Sequence, residues 1–496
     1  MAPSSHNQRF RKASAVMLAG LVVLVAAACA SEGVIAPSRV ATATTIAPTV
    51  LPATATPIGV PEPTADASTA PVPATVTSEP MTPTSTAVAT LAPETPTPPV
   101  QPSIGRSVEL ARIGALVSEI RELSEAGTPN VELVDKDRIA SELAEDLEDP
   151  EVLADIADLE LLLKLLGLIP QDEDLLDIER RLLEGAVIGL YNTETGELLV
   201  LGDGDEVSVK EESVYSHEYT HLLQDVNFGI KALADEAEDD SERSGALQAL
   251  VEGEATFIEA IYAGRHFSND EFAELLVFDP EDIAVLEATP DVLVSLLQWP
   301  YTVGFAFVNS IWQQGGMSAI DAVWGDLPET TEQIIHPEKY ALNEFPAAVP
   351  VLPDLAAALG GGWEERYTDV LGEAFISIWL ESLGADGLSA AQAAAGWGSD
   401  SYVVLESSTG ETAFGVSIEW DEPGTDALQF STALEQSLDD SAVFGRIERG
   451  DVTTALWMGQ GGVLAFGLNE TTGAAGVGVA PTADEAAALL GALTRD

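Results

Sequence analysis

The feature that most constrains this chain is the pentapeptide HEYTH, formed by residues 217–221. On an α-helix, residues four apart lie about 40° apart around the axis, so His217 and His221 project from the same side. Two imidazoles placed in this way can bind one zinc ion. The acid that follows the first histidine, Glu218, then lies near enough to polarise a water at the metal. The spacing therefore predicts a zinc site on a helix.

The alternative is that His217 and His221 are ordinary residues on a helix surface. The chain contains five histidines among 496 residues. A second histidine four residues after the first, with an acid directly after the first, is rare by chance at this frequency. The composition therefore favours the metal site.

The flanking sequence predicts a helix that carries the motif, with a β-hairpin before it. Ser208 precedes Glu211 by three residues, which is a capping-box pattern, and no Pro or Gly follows until Gly229. Upstream, the apolar runs at 187–191 and 198–201 flank the sequence NTETG at 192–196, which is typical of a hairpin. We expect the order hairpin and then motif helix.

A catalytic zinc site needs a third protein ligand and one open position. The HExxHxxGxxH solution is excluded, because Gln224 and Asn227 stand at the positions of its glycine and third histidine. Glu252 is the preferred candidate, since it lies in an Ala-rich apolar segment at 244–263 that predicts a buried helix, where an acid requires a partner. The alternatives are Glu254 or Glu259 on the same segment, and His266 in the turn after it.

Gly253 supports the choice of Glu252. A glycine inside a helix costs about 1 kcal/mol relative to alanine, so it usually marks a close approach by another element. A small residue beside the ligand would let a second helix pack closely.

An HExxH helix followed by a glutamate on a second helix resembles the gluzincin group of zinc peptidases. The phrases VIGLY (187–191), SHEYTHLLQD (216–225), ALVEGEA (249–255) and TEQIIHPEKY (331–340) are together similar to a family of uncharacterised bacterial secreted zincin-like proteins, over roughly residues 105–400. The resemblance implies zinc held by His217, His221 and Glu252, with Glu218 as general base acting on a protein or peptide substrate. Two features depart from the gluzincin pattern. The gap between His221 and Glu252 is long, and Thr256 stands where one branch of the group has an aspartate.

Two further residues are candidates for stabilising a transition state. Gluzincins often aim a Tyr or His at the developing oxyanion. Tyr301 lies in the sequence WPYTVG, and His336 lies in IHP. The alternative for each is a structural residue packed in a turn. Of the two we favour His336, because the following proline restrains its backbone.

The N-terminus predicts export. Basic residues at 9, 11 and 12 precede an apolar stretch at 13–28 and then Cys29, the only cysteine. This pattern indicates a signal peptide, and the sequence AAAC resembles a bacterial lipobox. We therefore expect a lipid anchor at Cys29 on an extracytoplasmic cell-surface lipoprotein. Plain secretion after cleavage at a nearby alanine is the alternative.

Composition excludes several partners. The formal net charge is −61, which argues against nucleic acid and anionic lipid surfaces as partners. The acids are scattered along the chain, so we attribute them to solvation. The run at 203–206, DGDE, is too short for a calcium loop.

Together these patterns predict an α+β protein in four parts. They are a signal peptide (1–29), a disordered Pro/Thr/Ala-rich stalk (30–104), a mainly helical zincin-like domain with a small edge β-sheet (105–386), and a small α+β C-terminal module (387–496). The predicted function is an exported zinc metallopeptidase. The alternatives are a zinc-stabilised surface binding lipoprotein without turnover, and an accessory domain that recognises cell-wall material. Glu218 favours the enzyme, because a binding protein has no use for a base.

The lipobox interpretation predicts the outcome of Cys29→Ser. Loss of the thiol removes the only attachment point for the lipid, so the protein should move from the membrane pellet to the soluble fraction. Fractionation of expressing cells with detection by immunoblot measures this, with Ser38→Ala as the control. An unchanged membrane fraction for Cys29→Ser would show that the anchor lies elsewhere.

Overall fold

The described part of the chain combines a helical part with a large β-sheet, so the fold is α+β. The computed structural model describes residues 104–495 except 125, 127–128, 187–188, 203–205, 239 and 448–454. The predicted signal peptide, Cys29 and residues 30–103 of the predicted stalk lie outside the described residues.

The helical part extends from residue 104 to residue 359. Its helices are α1 (Ile104–Arg121), α2 (Lys136–Asp146), α3 (Pro150–Leu165), α4 (Leu175–Ala186), α5 (Val209–Phe228), α6 (Ile230–Ala237), α7 (Ser241–His266), α8 (Asn269–Leu275), α9 (Pro280–Glu287), α10 (Asp291–Gly315), α11 (Met317–Trp324), α12 (Thr331–Ile335), α13 (Pro337–Leu342) and α14 (Leu355–Leu359).

A small sheet lies beside the motif helix α5. Its strands are β1 (Asn130–Val134), β2 (Gly189–Asn192) and β3 (Glu197–Leu201), in the order β1-β3-β2. β2 and β3 form an antiparallel hairpin, and β1 runs parallel to β3. The predicted hairpin is therefore confirmed for its described residues, whereas positions 187 and 188 lie outside them. β2 forms the edge of this sheet.

The sequence determines both ends of α5. The side chain of Ser208 accepts a hydrogen bond from Glu211 N, and the Glu211 side chain accepts one from the Ser208 backbone, so the predicted capping box is present. At the other end Gly229 has φ +70°, a left-handed conformation that glycine adopts without a steric penalty. The predicted helix is confirmed over its full length.

α7 and α10 pack unusually closely, and glycines make this possible. A Cβ on Gly253 would lie 2.1 Å from the backbone carbon of Gly304, and a Cβ on Gly304 would lie 2.0 Å from the carbonyl oxygen of Ala249. The predicted reason for Gly253 is therefore confirmed. α10 also has the length and composition to cross a membrane, but Phe307 and Val308 are buried in the core of the described chain.

The C-terminal part contains a seven-stranded antiparallel sheet with the order β4-β5-β6-β10-β9-β8-β7. Its strands are β4 (Trp363–Asp369), β5 (Trp397–Ser407), β6 (Thr412–Trp420), β7 (Gly445–Arg446), β8 (Ala455–Gly459), β9 (Gly462–Leu468) and β10 (Ala475–Ala480). The helices that accompany it are α15 (Gly372–Ser382), α16 (Gly387–Ala394), α17 (Asp426–Asp440) and α18 (Ala483–Leu493).

The expectation of a small C-terminal module is therefore wrong. The sheet includes β4, which lies before residue 387, the predicted start of the module. It also includes β10, which lies outside the apolar runs at 402–405, 413–420, 453–458 and 463–468 that predict strands in this part of the sequence. β10 has the sequence AGVGVA, whose glycines have low strand propensity. These glycines let α18 approach, since a Cβ on Gly478 would lie 2.8 Å from Leu489 Cβ. Packing against α18 therefore stabilises this strand despite the low strand propensity of its glycines.

Both faces of the sheet are covered. On β5, Tyr402 and Val404 pack into the cluster that contains Phe430 of α17, while Val403 and Leu405 pack into the cluster that contains helix α18. A strand buried on both faces has a continuous apolar sequence instead of an alternating one. The run YVVL at 402–405 follows this rule.

The helical part and the sheet are joined by buried polar contacts. Arg366 of β4 donates to Asp158 of α3 at 2.8 Å, and the Tyr367 hydroxyl donates to the Asp158 carbonyl at 2.8 Å. Ser241, at the start of α7, donates to Asp369 at 2.8 Å. The end of β4 is thereby fixed against the first turn of α7.

Gly253→Ala should destabilise the protein by about 1–3 kcal/mol, because the added methyl group meets the α10 backbone and forces the helices apart. Gly264→Ala in the same helix is the matched control. A Cβ at that glycine would have no atom within 4 Å, so alanine should be neutral or stabilise by up to about 1 kcal/mol. Urea denaturation of both variants measures the free energy of unfolding. Equal effects would contradict the close-approach argument.

Candidate metal centre

Two antiparallel helices form the candidate site. α5 provides His217, Glu218 and His221, and α7 provides Glu252. All four side chains are buried, with 1% to 8% of each residue exposed. The structure brings the predicted zinc ligands together.

The separations within the group match those of a metal site. Glu252 Oε2 lies 3.3 Å from His217 Nε2 and 3.5 Å from His221 Nε2. Ligand atoms of His217, His221 and Glu252 all lie within 4.8 Å of one another. Tetrahedral ligands at a zinc distance of about 2.1 Å are separated by about 3.4 Å. The two separations from Glu252 therefore match those between ligands of one tetrahedral ion, and the three residues leave a fourth position for another ligand.

A carboxylate lies behind the ring of His217. Its Nδ1 is 3.3 Å from Glu259 Oε2, and Glu259 Oε1 accepts a hydrogen bond from Ser213 Oγ at 2.5 Å. A carboxylate on the far nitrogen favours the tautomer that leaves Nε2 available to a metal. Glu259, one of the alternative ligands from the sequence, is thus placed to orient a ligand.

His221 is oriented by an amide. Its Nδ1 lies 2.9 Å from Gln224 Oε1, while Gln224 Nε2 donates to Val251 O at 3.0 Å and to Glu254 Oε2 at 3.0 Å. Because the amide nitrogen serves two acceptors, its oxygen must accept from the ring. His221 Nδ1 therefore carries the proton, and Nε2 presents a lone pair to the site.

Glu254, the other alternative ligand, belongs to a separate ion pair. It accepts hydrogen bonds from Arg121 of α1 and from Trp324 Nε1 at 2.8 Å. Arg121 also contacts Asp321 at 2.7 Å. This pairing fixes Glu254, which in turn fixes Gln224. The sequence alone did not identify Gln224 or Arg121 as site residues. Glu254, which both contact, is remote from them in the chain, although Gln224 lies only three residues after His221.

Glu218 is held by the edge strand. Its Oε2 accepts a hydrogen bond from Tyr191 N of β2 at 2.8 Å. A Cβ on Gly189 would lie 2.4 Å from Val214 and 3.2 Å from Glu218, so the strand passes directly against α5. The hairpin and the motif helix thus meet at the predicted base.

The site stabilises positive charge. Burial lowers the pKa of His217, but Glu252 and Glu259 outweigh it and raise that pKa to about 10. Burial likewise opposes charge on His221, whose pKa Glu252 raises overall. Burial raises the pKa of Glu252, but His221 and His217 reverse this and lower it to about 2. Burial raises the pKa of Glu218.

The charge balance supports a divalent cation. Three buried carboxylates, those of Glu218, Glu252 and Glu259, surround two imidazoles. Their described contacts are with histidine rings, a serine hydroxyl and a backbone N–H. Burying uncompensated carboxylates is costly, and either protons on the rings or a metal ion offsets the charge. The donor set of two imidazoles and one carboxylate is typical of catalytic zinc.

The other predicted residues have different positions. Tyr301 of α10 is buried with its ring 6.2 Å from the His217 ring, at an interplanar angle of 28°. His336 contacts Glu373 of α15 at 2.8 Å and Glu338 at 3.6 Å. His266 packs against Tyr262 at the end of α7. The structure thus places Tyr301 at the site and gives His336 and His266 other partners.

Comparison with known proteins assigns a family to part of the chain only. Residues 361–489 match the model of a domain of unknown function, DUF8575. This match covers the seven strands, α15 to α17 and the larger part of α18, and leaves the helical part with the HEYTH motif outside it. No curated protein and no solved structure matches the chain.

The geometry predicts about one zinc per chain. The full chain, stripped with a chelator, should take up one equivalent, and its unfolding temperature should rise with zinc by mass action. His217→Ala combined with His221→Ala should abolish both effects, whereas His266→Ala should preserve them. Competition with a chromophoric chelator measures the stoichiometry. One equivalent retained by the double variant would contradict the site.

Proposed function

We propose that the chain is an exported zinc-dependent hydrolase of the peptidase class, related to the gluzincins. The main support is the buried group of His217, His221 and Glu252, whose ligand atoms lie within 4.8 Å of one another, with Glu218 on the same helix turn as His217. A structural zinc site has four protein ligands, whereas this group offers three. The missing fourth ligand favours a site where a substrate or water completes the coordination.

Zinc, when bound, supplies a Lewis acid that polarises a carbonyl and acidifies water. Glu218 is the residue that we assign to proton transfer. The Tyr191 N–H fixes Oε2, and Oε1 would take the proton from a water as its oxygen attacks the scissile carbonyl carbon. Glu218 would then deliver this proton to the amine as the carbon–nitrogen bond breaks. His217, His221 and Glu252 hold the metal, and Glu259 and Gln224 hold the rings.

Tyr301 is the group that we favour for the developing oxyanion. Its ring stacks on the ring of His217, one of the proposed ligands, so Tyr301 lies directly beside the site. The sequence favours His336, but the Nε2 of that histidine is engaged by the buried Glu373. We therefore reverse that order, and the role of His336 stays a prediction.

A second function is supported by the deep burial of the site. Glu252 is 1% exposed and His217 is 1% exposed. Such burial also suits a metal that stabilises a binding protein without turnover. Glu218 separates the two functions, because a base is needed only for catalysis. In either case we propose a cell-surface lipoprotein anchored through Cys29.

Glu218→Gln should retain zinc and lose activity. The amide keeps the size and the hydrogen bond from Tyr191 but cannot accept a proton, so cleavage should fall by about 10²–10⁴-fold. Digestion of an unbiased peptide library at matched zinc measures this, with Glu236→Gln on α6 as a surface control. Glu252→Ala should instead lower zinc affinity.

Two outcomes would overturn the peptidase proposal. One is that wild type cleaves nothing in the library. The other is that Glu218→Gln cleaves as fast as wild type, and this is the stronger contradiction because it does not depend on the choice of substrate. If zinc binding survives when wild type cleaves nothing, the binding function is favoured. If Glu218→Gln cleaves as fast as wild type, Glu218 is not the base.

A further inference from the structure

A cavity of about 190 Å³ lies where the helical part meets the C-terminal sheet. One wall comes from the first turns of α7 and from α10, including Gln248 and Trp299. The opposite wall comes from the end of β4, the segment after it and α15, including Leu371 and Phe375. Most of the lining is apolar. The part of the chain that matches the domain of unknown function therefore provides one wall of this cavity.

The volume suits one side chain. An apolar protein cavity of about 150 Å³ binds benzene, whereas pockets for drug-sized molecules begin at about 300 Å³. A space of about 190 Å³ thus accepts one aromatic ring or one branched aliphatic chain.

The cavity has a buried floor and an accessible mouth. Leu371 and Ile378 are almost completely buried, whereas Leu296, Trp299 and Phe375 keep part of their surface exposed. Apolar surface left exposed inside a concavity favours burial by an apolar ligand.

The acids in the lining do not make it a cation site. Glu242 accepts hydrogen bonds from the Thr331 N–H at 3.0 Å and from its hydroxyl at 2.9 Å. Asp369 Oδ1 accepts from Ser241 and from Val370 N, both at 2.8 Å. These contacts already serve Glu242 and one oxygen of Asp369. An apolar group fits the lining better than a cation does.

The cavity adjoins the candidate metal centre. Gln248 lines it, and Glu252 follows one turn later on the same face of α7, a rise of about 6 Å. On α10, Pro300 lines the cavity and directly precedes Tyr301, which stacks on His217. α7 therefore connects the cavity with the candidate ligand Glu252, and α10 connects it with Tyr301, which lies beside His217.

We infer that this cavity receives one large apolar side chain of the substrate, close to the scissile bond. The inference rests on the proposed function and deepens it, since it names the substrate class as peptides with an aromatic or branched aliphatic residue beside the cleavage point. It also gives the C-terminal sheet a role in substrate selection.

Ala374→Leu tests the cavity itself. Ala374 is a buried lining residue on α15, and leucine there would fill the space. Toluene is the probe, and the unfolding temperature of the full chain is the measurement, with and without zinc. Toluene should raise it saturably in wild type and in the control Ala391→Leu, whose site on α16 is exposed, but not in Ala374→Leu. Leu297→Phe, which fills from the α10 side, replaces Ala374→Leu if that variant does not fold.

The same variants tested with the peptide library decide the role of the cavity. Wild type and Ala391→Leu should prefer a large apolar residue at one position beside the cleaved bond. Filling the cavity should shift the kcat/KM ratio for large over small residues by at least about 10-fold toward alanine and glycine. Zinc content should not change.

The outcomes separate the two proposals. Toluene that fails to stabilise wild type, or that stabilises the filled variant equally, overturns the inference. Cleavage with an unchanged preference overturns the substrate role while the peptidase function stands. Toluene binding without any cleavage overturns the peptidase function and with it the substrate role, and leaves an apolar binding site.

Discussion

The buried carboxylate of Glu252 is the interaction on which the centre of this structure depends. Its Oε2 is shared by the Nε2 atoms of His217 and His221, at 3.3 and 3.5 Å. A charge placed in so buried a position is tolerated only when partners surround it, and removal of a partner from a buried pair typically costs about 3–5 kcal/mol. The contact therefore joins α5 to α7 and defines where a cation can lie. Gly253, where α7 packs closely on α10, directly follows Glu252 in the sequence. The same turn of α7 therefore carries the candidate ligand and the close contact that buries it.

Two further buried acids of α7, Glu254 and Glu259, each contact a specific partner near the candidate site. Glu254 pairs with Arg121, and through Gln224 it fixes the ring of His221. Glu259 faces the ring of His217. Glu252 is thus the candidate ligand, and Glu254 and Glu259 lie behind the two histidines, whereas Glu242, the fourth buried acid of α7, pairs with Thr331. Hydrogen-bonded groups behind metal ligands raise metal affinity, often by about 10–100-fold, so this arrangement suits a metal site better than a solvated acidic face.

Local patterns in the sequence were sufficient for the parts of the site that depend on neighbouring residues. The spacing of His217 and His221, the capping box at Ser208 and the hairpin before it all rest on contacts within a few residues, and the structure has each of them. Gly253 indicated a close contact with another helix, but the sequence did not show that this helix is α10. Arg121 could not be predicted, because its role depends on Glu254, a residue remote in the sequence. Gln224 lies three residues after His221, so helix spacing carried a signal for their contact, but the contact of Gln224 with Glu254 could not be predicted. β10 was not predicted either, because its glycines are favourable in a strand only when α18 packs against them.

The position of the sheet gives the helical part a second constraint. Ser241 begins α7 and donates to Asp369 at the end of β4, so the first turn of the ligand-bearing helix is attached to the C-terminal part. Gly372, with φ +77°, lies so close that a Cβ there would meet Glu242 of α7 at 1.8 Å. A shift of the sheet would therefore change the cavity wall and the start of α7 together. Because Glu252 lies about three turns along this helix, the apolar cavity and the candidate metal ligand share one helix, and a ligand bound in the cavity would lie at a fixed distance from Glu252.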